Sequence, residues 1–369
     1  GYAARASTYS EVGRLLEEVY CDAAMQPVQT RDGYAAKRMT YDEKTGRLLA
    51  TAYLDADLLP TLSEAGYASS EQTYDAYGSL TRQAYYGTAG EPIVPLSLNY
   101  AAFTRVCDAD GNILSEAYED ASGALIVNRQ GYAVCERTYD AQGNVLSAAY
   151  LDASRQPVLL GDGYARKEQT FDAQGNRLSE RYFGILGEPV LIKAGYCAAA
   201  YAWNDGRQMT RLTYYGVDGE RIAASEGYAS MLREFDRSGN LTREVYYDAA
   251  DAPIRATVGA AEIRRDYDDQ GRLTLERYFD EKGEPLMLRG DYAQVAYAYD
   301  LLGNELSEEY KDTEGRPVVA IRGYAGVLRT FDKTGKLLTE EFRDADGNRI
   351  CAQGECLRRP GLAGGRAVF

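Results

Sequence analysis

Tyrosine is the residue type best placed to do chemistry in this chain. It occurs 32 times in 369 residues, against eight Phe and one Trp. A tyrosine ring offers an apolar face to sugar C–H groups and a hydroxyl that donates and accepts hydrogen bonds. Tyr85, Tyr118, Tyr150, Tyr182, Tyr214, Tyr246, Tyr278 and Tyr310 recur at regular spacing and are candidate ligand-stacking positions. The same regularity suits a core ladder, and that use is favoured for these rings. Tyr77, Tyr86, Tyr201, Tyr215, Tyr247 and Tyr297 fall outside the regular positions and are expected to be more exposed.

Other chemistry is thinly supplied. Histidine is absent, which removes Ser-His-Asp and Cys-His arrangements, imidazole metal ligands and the commonest general base near neutral pH. Asp and Glu total 56, and a pair of carboxylates can hydrolyse a glycosidic bond. Here they recur in register or scatter over polar strand positions, and no pair stands apart. The chain therefore reads as a non-enzyme that needs no cofactor. Asp108–Asn112 and Asp344–Asn348 look like fragments of calcium loops. A calcium site needs about six to eight oxygens, and in both segments the first Asp occupies a repeated turn position, so turn chemistry is the expectation.

The six cysteines, Cys21, Cys107, Cys135, Cys197, Cys351 and Cys356, include no CxxC pair. They read as scattered free thiols of a reducing or anaerobic setting, with Cys351 and Cys356 near enough to close a small loop. Lys and Arg total 41, so the net charge is −15. That balance disfavours a nucleic-acid partner, which needs clustered cations, and disfavours anionic lipid surfaces. No apolar run approaches the roughly 20 residues that span a bilayer, so no membrane insertion is expected.

The positions of these residues follow from one repeated unit. Gly-Tyr-Ala or a variant begins at residues 1, 33, 66, 99, 131, 163, 195, 227, 259, 291 and 323, in steps of 32 or 33. Eleven tandem β-repeats therefore cover residues 1–354, with a C-terminal tail at 355–369. The chain opens inside this pattern and is expected to be a piece of a longer protein.

Each repeat carries three aromatic positions. Tyr132, Tyr139 and Tyr150 are the first, second and third of the repeat at Gly131, and these positions account for 26 of the 32 tyrosines. The first is lost at Ala260, the second at Cys107, and the third is Tyr or Phe throughout. After the second aromatic comes Asp-x-x-Gly, as in Asp140–Gly143, with a glycine in every repeat. Asp at a turn start accepts backbone N–H bonds and Gly takes the left-handed position, which predicts a hairpin on a type I turn with a glycine bulge. The turn Trp203-Asn204-Asp205-Gly206 reads as shortened. A second turn follows the third aromatic and exits at Pro92, Pro157, Pro189, Pro285 or Pro317.

The expected fold is all-β. About eleven 32-residue, three-stranded antiparallel hairpin or meander units would form a superhelical or solenoid-like sheet. In the repeat at Gly131 the strands are expected over Tyr132–Tyr139, Val145–Leu151 and Pro157–Leu160. Charged residues such as Arg181 and Glu244 sit mid-strand, so one sheet face is expected to be wet.

The string Tyr-Asp-x-x-Gly-x-Leu, at Tyr74–Leu80 and Tyr267–Leu273, resembles bacterial YD repeats of Rhs-type and teneurin-like proteins. Tyr278–Gly283 and Tyr246–Asp248 also look like glucan- and choline-binding repeats of cell-wall proteins. The resemblance implies strips of β-hairpins and an extracellular or cell-surface bacterial protein. It implies a non-catalytic module that meets cell-wall glycan, host glycan or a protein, or else a purely structural stalk or shell segment of a larger protein. The period of 32 and the lone Trp203 depart from the cell-wall families, whose units run near 20 residues and carry more Trp.

Overall fold

The computed structural model describes residues 1–350. These residues form 22 antiparallel strands in eleven tandem hairpins, with no helix among the described residues. The chain divides into two compact bodies, one from Gly1 to Lys193 and a second beginning at Ala194. Within each body every strand pairs with the next along the chain. Cys351 and Cys356, with the loop they would close, and the 355–369 tail lie outside the described residues.

The repeat at Gly131 shows how the sequence builds one hairpin. Strands Val134–Tyr139 and Val145–Leu151 pair from Leu151↔Val134 inward, and the register shifts beside Tyr139. Between them Asp140 donates its N–H to Asn144 O (3.0 Å) and Gly143 donates to Asp140 O (3.1 Å). Gly143 has a φ of 83°, the left-handed region that a side chain would strain. The shift is the expected bulge, which aligns Tyr139 again after the extra residue.

The third expected strand is reduced to one bridge, Leu151↔Pro157. Proline is not the reason, because Glu119↔Leu125 and Tyr215↔Arg221 form the same single bridge. The edge it would need is already taken. Residues Ser147–Ala149 pair with Arg166–Glu168 of the next repeat. Tyr150 stands at the fork, donating to Ala165 O (2.9 Å) and accepting from Val158 N–H (3.0 Å). One strand edge cannot hold two partners along its length. The Pro segment therefore peels away and becomes a lid, with Val158 and Leu160 packed onto the tyrosines.

The turn at Trp203 also differs from expectation. It keeps full length, with Asn204 N–H donating to Gln208 O (3.0 Å). Arg207, not Gly206, takes the left-handed position, at φ 60°.

Two features join neighbouring repeats. The alanine of Gly-Tyr-Ala is buried, at 0% exposure for Ala133, and its backbone bonds both ways, to Leu151 O (2.8 Å) and from Tyr118 N–H (3.0 Å). The second aromatic reaches back one repeat. Tyr74, Tyr139, Tyr267 and Tyr299 donate their hydroxyls to the carbonyls of Leu48, Ile113, Leu241 and Leu273, each at 2.9 Å.

The turn carboxylates make the hairpins sensitive to acid. Asp140 Oδ1 accepts the N–H groups of Gln142 (3.0 Å) and Asn144 (2.8 Å), and Oδ2 accepts Asn144 Nδ2 (2.9 Å). The Asn144 amide, joined by these backbone groups against a smaller effect of burial, holds the Asp140 carboxyl below the usual carboxylate range. Asp108, Asp236 and Asp300 are held down in the same way by Asn112, Asn240 and Asn304. A lowered folded pKa gives stability that is full above the unfolded value and lost as pH falls through the folded one. Melting temperature, followed by circular dichroism, should be level from about pH 7 to 5 and fall below about pH 4.

Candidate functional site

First- and third-position rings alternate along each body. In the first, Tyr100, Tyr118, Tyr132, Tyr150, Tyr164 and Tyr182 follow one another at centroid separations of 4.7, 5.9, 5.1, 5.9 and 4.8 Å. Tyr2, Tyr20, Tyr34, Tyr53, Tyr67 and Tyr85 form an equivalent run. In the second body Tyr196–Tyr214–Tyr228–Tyr246 and Tyr278–Tyr292–Tyr310–Tyr324–Phe342 form two more. These separations and the tilted planes lie in the favourable range for aromatic pairs.

The runs stop where the repeat departs from its pattern. Ala260 stands in place of a first-position ring between Tyr246 and Tyr278. Between Tyr85 and Tyr100 the junction holds an extra residue, and Leu98, not a glycine, closes the turn onto Pro95 O (3.0 Å). Among the described residues no ring pair links Tyr85 to Tyr100.

The eight candidate stacking tyrosines lie in this ladder. Tyr85, Tyr118, Tyr182, Tyr214, Tyr246, Tyr278 and Tyr310 are buried, with Tyr310 only 3% exposed, and Tyr150 is half-buried. Each lies against at least one other ladder ring. Of the aromatics outside the ladder, Tyr77 is exposed at a turn tip, whereas Tyr86, Tyr201, Tyr215, Tyr247 and Tyr297 are half-buried.

The ladder carries a charge network beneath it. Arg105 Nε donates to Glu116 Oε2 (2.6 Å), and the other Glu116 oxygen accepts the Tyr118 hydroxyl. Arg233, Glu244 and Tyr246 repeat this relay, as do Arg265, Glu276 and Tyr278, with Arg–Glu distances of 2.6 Å. Glu244, expected on a wet face, is therefore buried, and Arg181 is exposed. The signal was present in sequence, because Glu stands two residues before the third aromatic at Glu18, Glu116, Glu180, Glu244, Glu276 and Glu308. Residues two apart on a strand share a face, so this Glu must share the tyrosine's face.

A second network lies around Glu262. Arg243 holds this buried carboxylate through two bonds (2.7 and 3.1 Å), and Arg264 adds another at 2.5 Å. Arg264 also lies 4.0 Å from the Phe279 centroid. Burial pushes the Glu262 pKa up, but the two guanidinium groups prevail and hold it low.

At the calcium-like segments the oxygens serve their own turns. Asp108 accepts from Asp110 N–H (3.0 Å), Asn112 N–H (2.9 Å) and Asn112 Nδ2 (2.9 Å). Asp344 accepts from Asp346 N–H (3.0 Å) and Asn348 N–H (2.7 Å). Cys21, Cys107 and Cys135 are free thiols. Burial pushes the Cys135 thiol up to about 11.

The fold and the ladder define an all-β tandem hairpin array whose recurring aromatics pack against one another in runs within each body. No protein-family model and no curated protein matches the chain. Among solved structures it is similar to a chain of the Photorhabdus luminescens Tc holotoxin pore, at 12% identity and a TM-score of 0.38, over 93% of this chain and 19% of that one. It is similar to a chain of the TcdB2–TccC3 complex, at 12% identity and a TM-score of 0.24, over 92% and 20%. A porin-like protein from Bacteroides uniformis aligns at 12% identity and a TM-score of 0.19, over 82% and 92%. The chain spans about a fifth of the length of the Tc toxin chains.

Ladder burial sets the alkaline limit of the fold. Burial first, then the hydrogen bond to a charged Glu, raises the pKa of Tyr118, Tyr246 and Tyr278. Burial and the neighbouring rings push Tyr85 up to about 12. A raised folded pKa gives stability that is full below the unfolded value, about 10, and lost as pH rises through the folded one. In an absorbance titration Tyr85, Tyr118, Tyr246 and Tyr278 should ionise above the ordinary tyrosine value of about 10, together with loss of β-structure.

Proposed function

We propose that the chain is a non-catalytic scaffold, a hairpin strip that spaces or encloses other parts of a larger exported bacterial protein. One observation carries this reading: the repeated tyrosines, the residues best suited to bind a ligand, are spent on packing against each other. The Tyr-Asp-x-x-Gly turns and the hairpin strip support a likeness to YD-type repeat segments. Buried thiols fit an exported protein as well. A thiol as buried as Cys135, with its pKa raised, carries little thiolate and resists oxidation without a disulfide partner.

Glycan binding is the other use of such rings. Tyr150 keeps the most exposed ring of the eight candidates and is where it would act. A screen of the purified chain against polysaccharides and bacterial walls, read by Tyr and Trp fluorescence, separates the two. The scaffold reading predicts no saturable binding. Saturable binding of a defined polysaccharide, lost in a folded Tyr150→Ala variant, would establish a carbohydrate-binding module instead.

A further inference from the structure

One arginine of the charge network stands without its carboxylate. Arg lies two residues before the second aromatic position in five repeats, at Arg105, Arg137, Arg233, Arg265 and Arg329. In four of them the residue paired with it across the hairpin is a glutamate: Glu116, Glu244, Glu276 and Glu340. Each Arg Nε donates to that glutamate, at 2.6, 2.6, 2.6 and 2.9 Å. Arg137 keeps the same register, but its partner is Ala148. In the repeats of Met39↔Thr51, Gln72↔Gln83 and Tyr201↔Leu212, Arg and Glu are missing together.

No neighbouring carboxylate takes the place of that glutamate. Arg137 is half-buried and makes no hydrogen bond or ion pair among the described residues. Glu116 acts on it through its charge, but both Glu116 oxygens are held, by Arg105 and by the Tyr118 hydroxyl. Glu136 is exposed and, one residue along the strand, points to the opposite face. On its other side Ala148 pairs with Lys167, which also makes no hydrogen bond or ion pair among the described residues. Burial lowers the Lys167 pKa against the pull of Glu180, and Glu180 is itself held by Arg177 at 2.7 Å. Directly paired residues share a sheet face, with Cβ atoms about 5 Å apart. Ala148 therefore has a cation on each side.

The complete relays show what this place accepts. One carboxylate oxygen takes the Arg Nε, and in three of the four the other takes the hydroxyl of the third-position tyrosine. Tyr150 is that tyrosine here, and it is half-buried. A guanidinium stays charged and presents donors in a fork that matches a carboxylate. Alanine is shorter than glutamate by one CH2 and the carboxylate, which together have the frame of acetate. Ala148 is only 4% exposed, which favours a short acid over a bulky one.

We propose that Arg137, with the Tyr150 hydroxyl and the charge of Lys167, binds the carboxylate of a short organic acid over Ala148. The ligand stands where the glutamate side chain stands in the complete relays. This goes beyond the scaffold reading and does not rest on it. The two fail separately: polysaccharide binding at Tyr150 would remove the scaffold reading and leave Arg137 without a glutamate, while failure of the acid would leave the buried ladder.

The test is saturation-transfer NMR of the full chain with acetate, its neutral isostere acetamide, and glucuronate, at fixed ionic strength. The proposal predicts saturable binding of acetate, none of acetamide, and weaker binding of glucuronate. Arg137→Met should bind acetate at least about tenfold more weakly, with an unchanged circular dichroism spectrum. A methionine is already accommodated at the equivalent position, where Met39 is buried. Ala148→Glu ties a carboxylate to the same arginine and should abolish acetate binding; if it fails to fold, Arg137→Met decides alone. Absence of acetate binding, equal binding of acetamide, or equal acetate binding by the folded variants would overturn the proposal. Tighter binding of glucuronate than of acetate would assign the site to a uronic acid and overturn the short-acid assignment.

Discussion

The contact between a first-position ring of one repeat and the third-position ring of the repeat before it is the interaction on which the array depends. A lone two-stranded hairpin is marginal in water. Here the ring pair within a repeat, such as Tyr132–Tyr150 at 5.1 Å, is extended across most junctions by a neighbour's ring, as Tyr118 does for Tyr132 at 5.9 Å. Backbone pairing follows the same logic. Ala133 can bond to both flanking strands because it has almost no side chain to accommodate. Stability of this kind is a sum over neighbours, and length can grow without a larger core.

The ladder also explains how an acidic chain tolerates buried carboxylates. Glu116 and Glu244 are buried and Glu276 half-buried, yet both oxygens of each are occupied, one by an arginine and one by a tyrosine hydroxyl. Burying a charge is costly unless it is paired and hydrogen-bonded. A one-residue slip of either strand would move Arg, Glu or Tyr to the opposite face and leave the others unpaired. The relays therefore penalise wrong registers in a repetitive sequence, where slips are otherwise easy.

Much of this was legible in the sequence because turn residues and period are local signals. The hairpin strand Val145–Leu151 and the bulged glycine turn at Gly143 lie where the pattern places them. The third strand was not legible, because its absence results from competition between repeats: Ala165 takes the bond at Tyr150 that a longer Pro157 strand would need. The burial of Glu244 was hidden for a related reason. Charge suggests solvent, and only pairing across the hairpin to Arg233 shows why this carboxylate can leave it. At Trp203–Gln208 the glycine drew attention to Gly206, while the backbone uses Arg207. The candidate tyrosines were located in the sequence as a regular series. Their burial comes from neighbouring repeats packed against them, which no local pattern reveals.

The most direct measurement is urea denaturation of Tyr214→Ala beside Tyr77→Ala. Tyr214 is 6% exposed and contacts Tyr228 of the next repeat at 5.7 Å, whereas Tyr77 is 70% exposed. Removing a buried aromatic ring costs about 3–5 kcal/mol, and an exposed one about 0.5 kcal/mol or less. A ladder that holds the array together predicts that gap, with the Tyr214 variant unfolding at clearly lower urea. Equal midpoints for the two variants would contradict it.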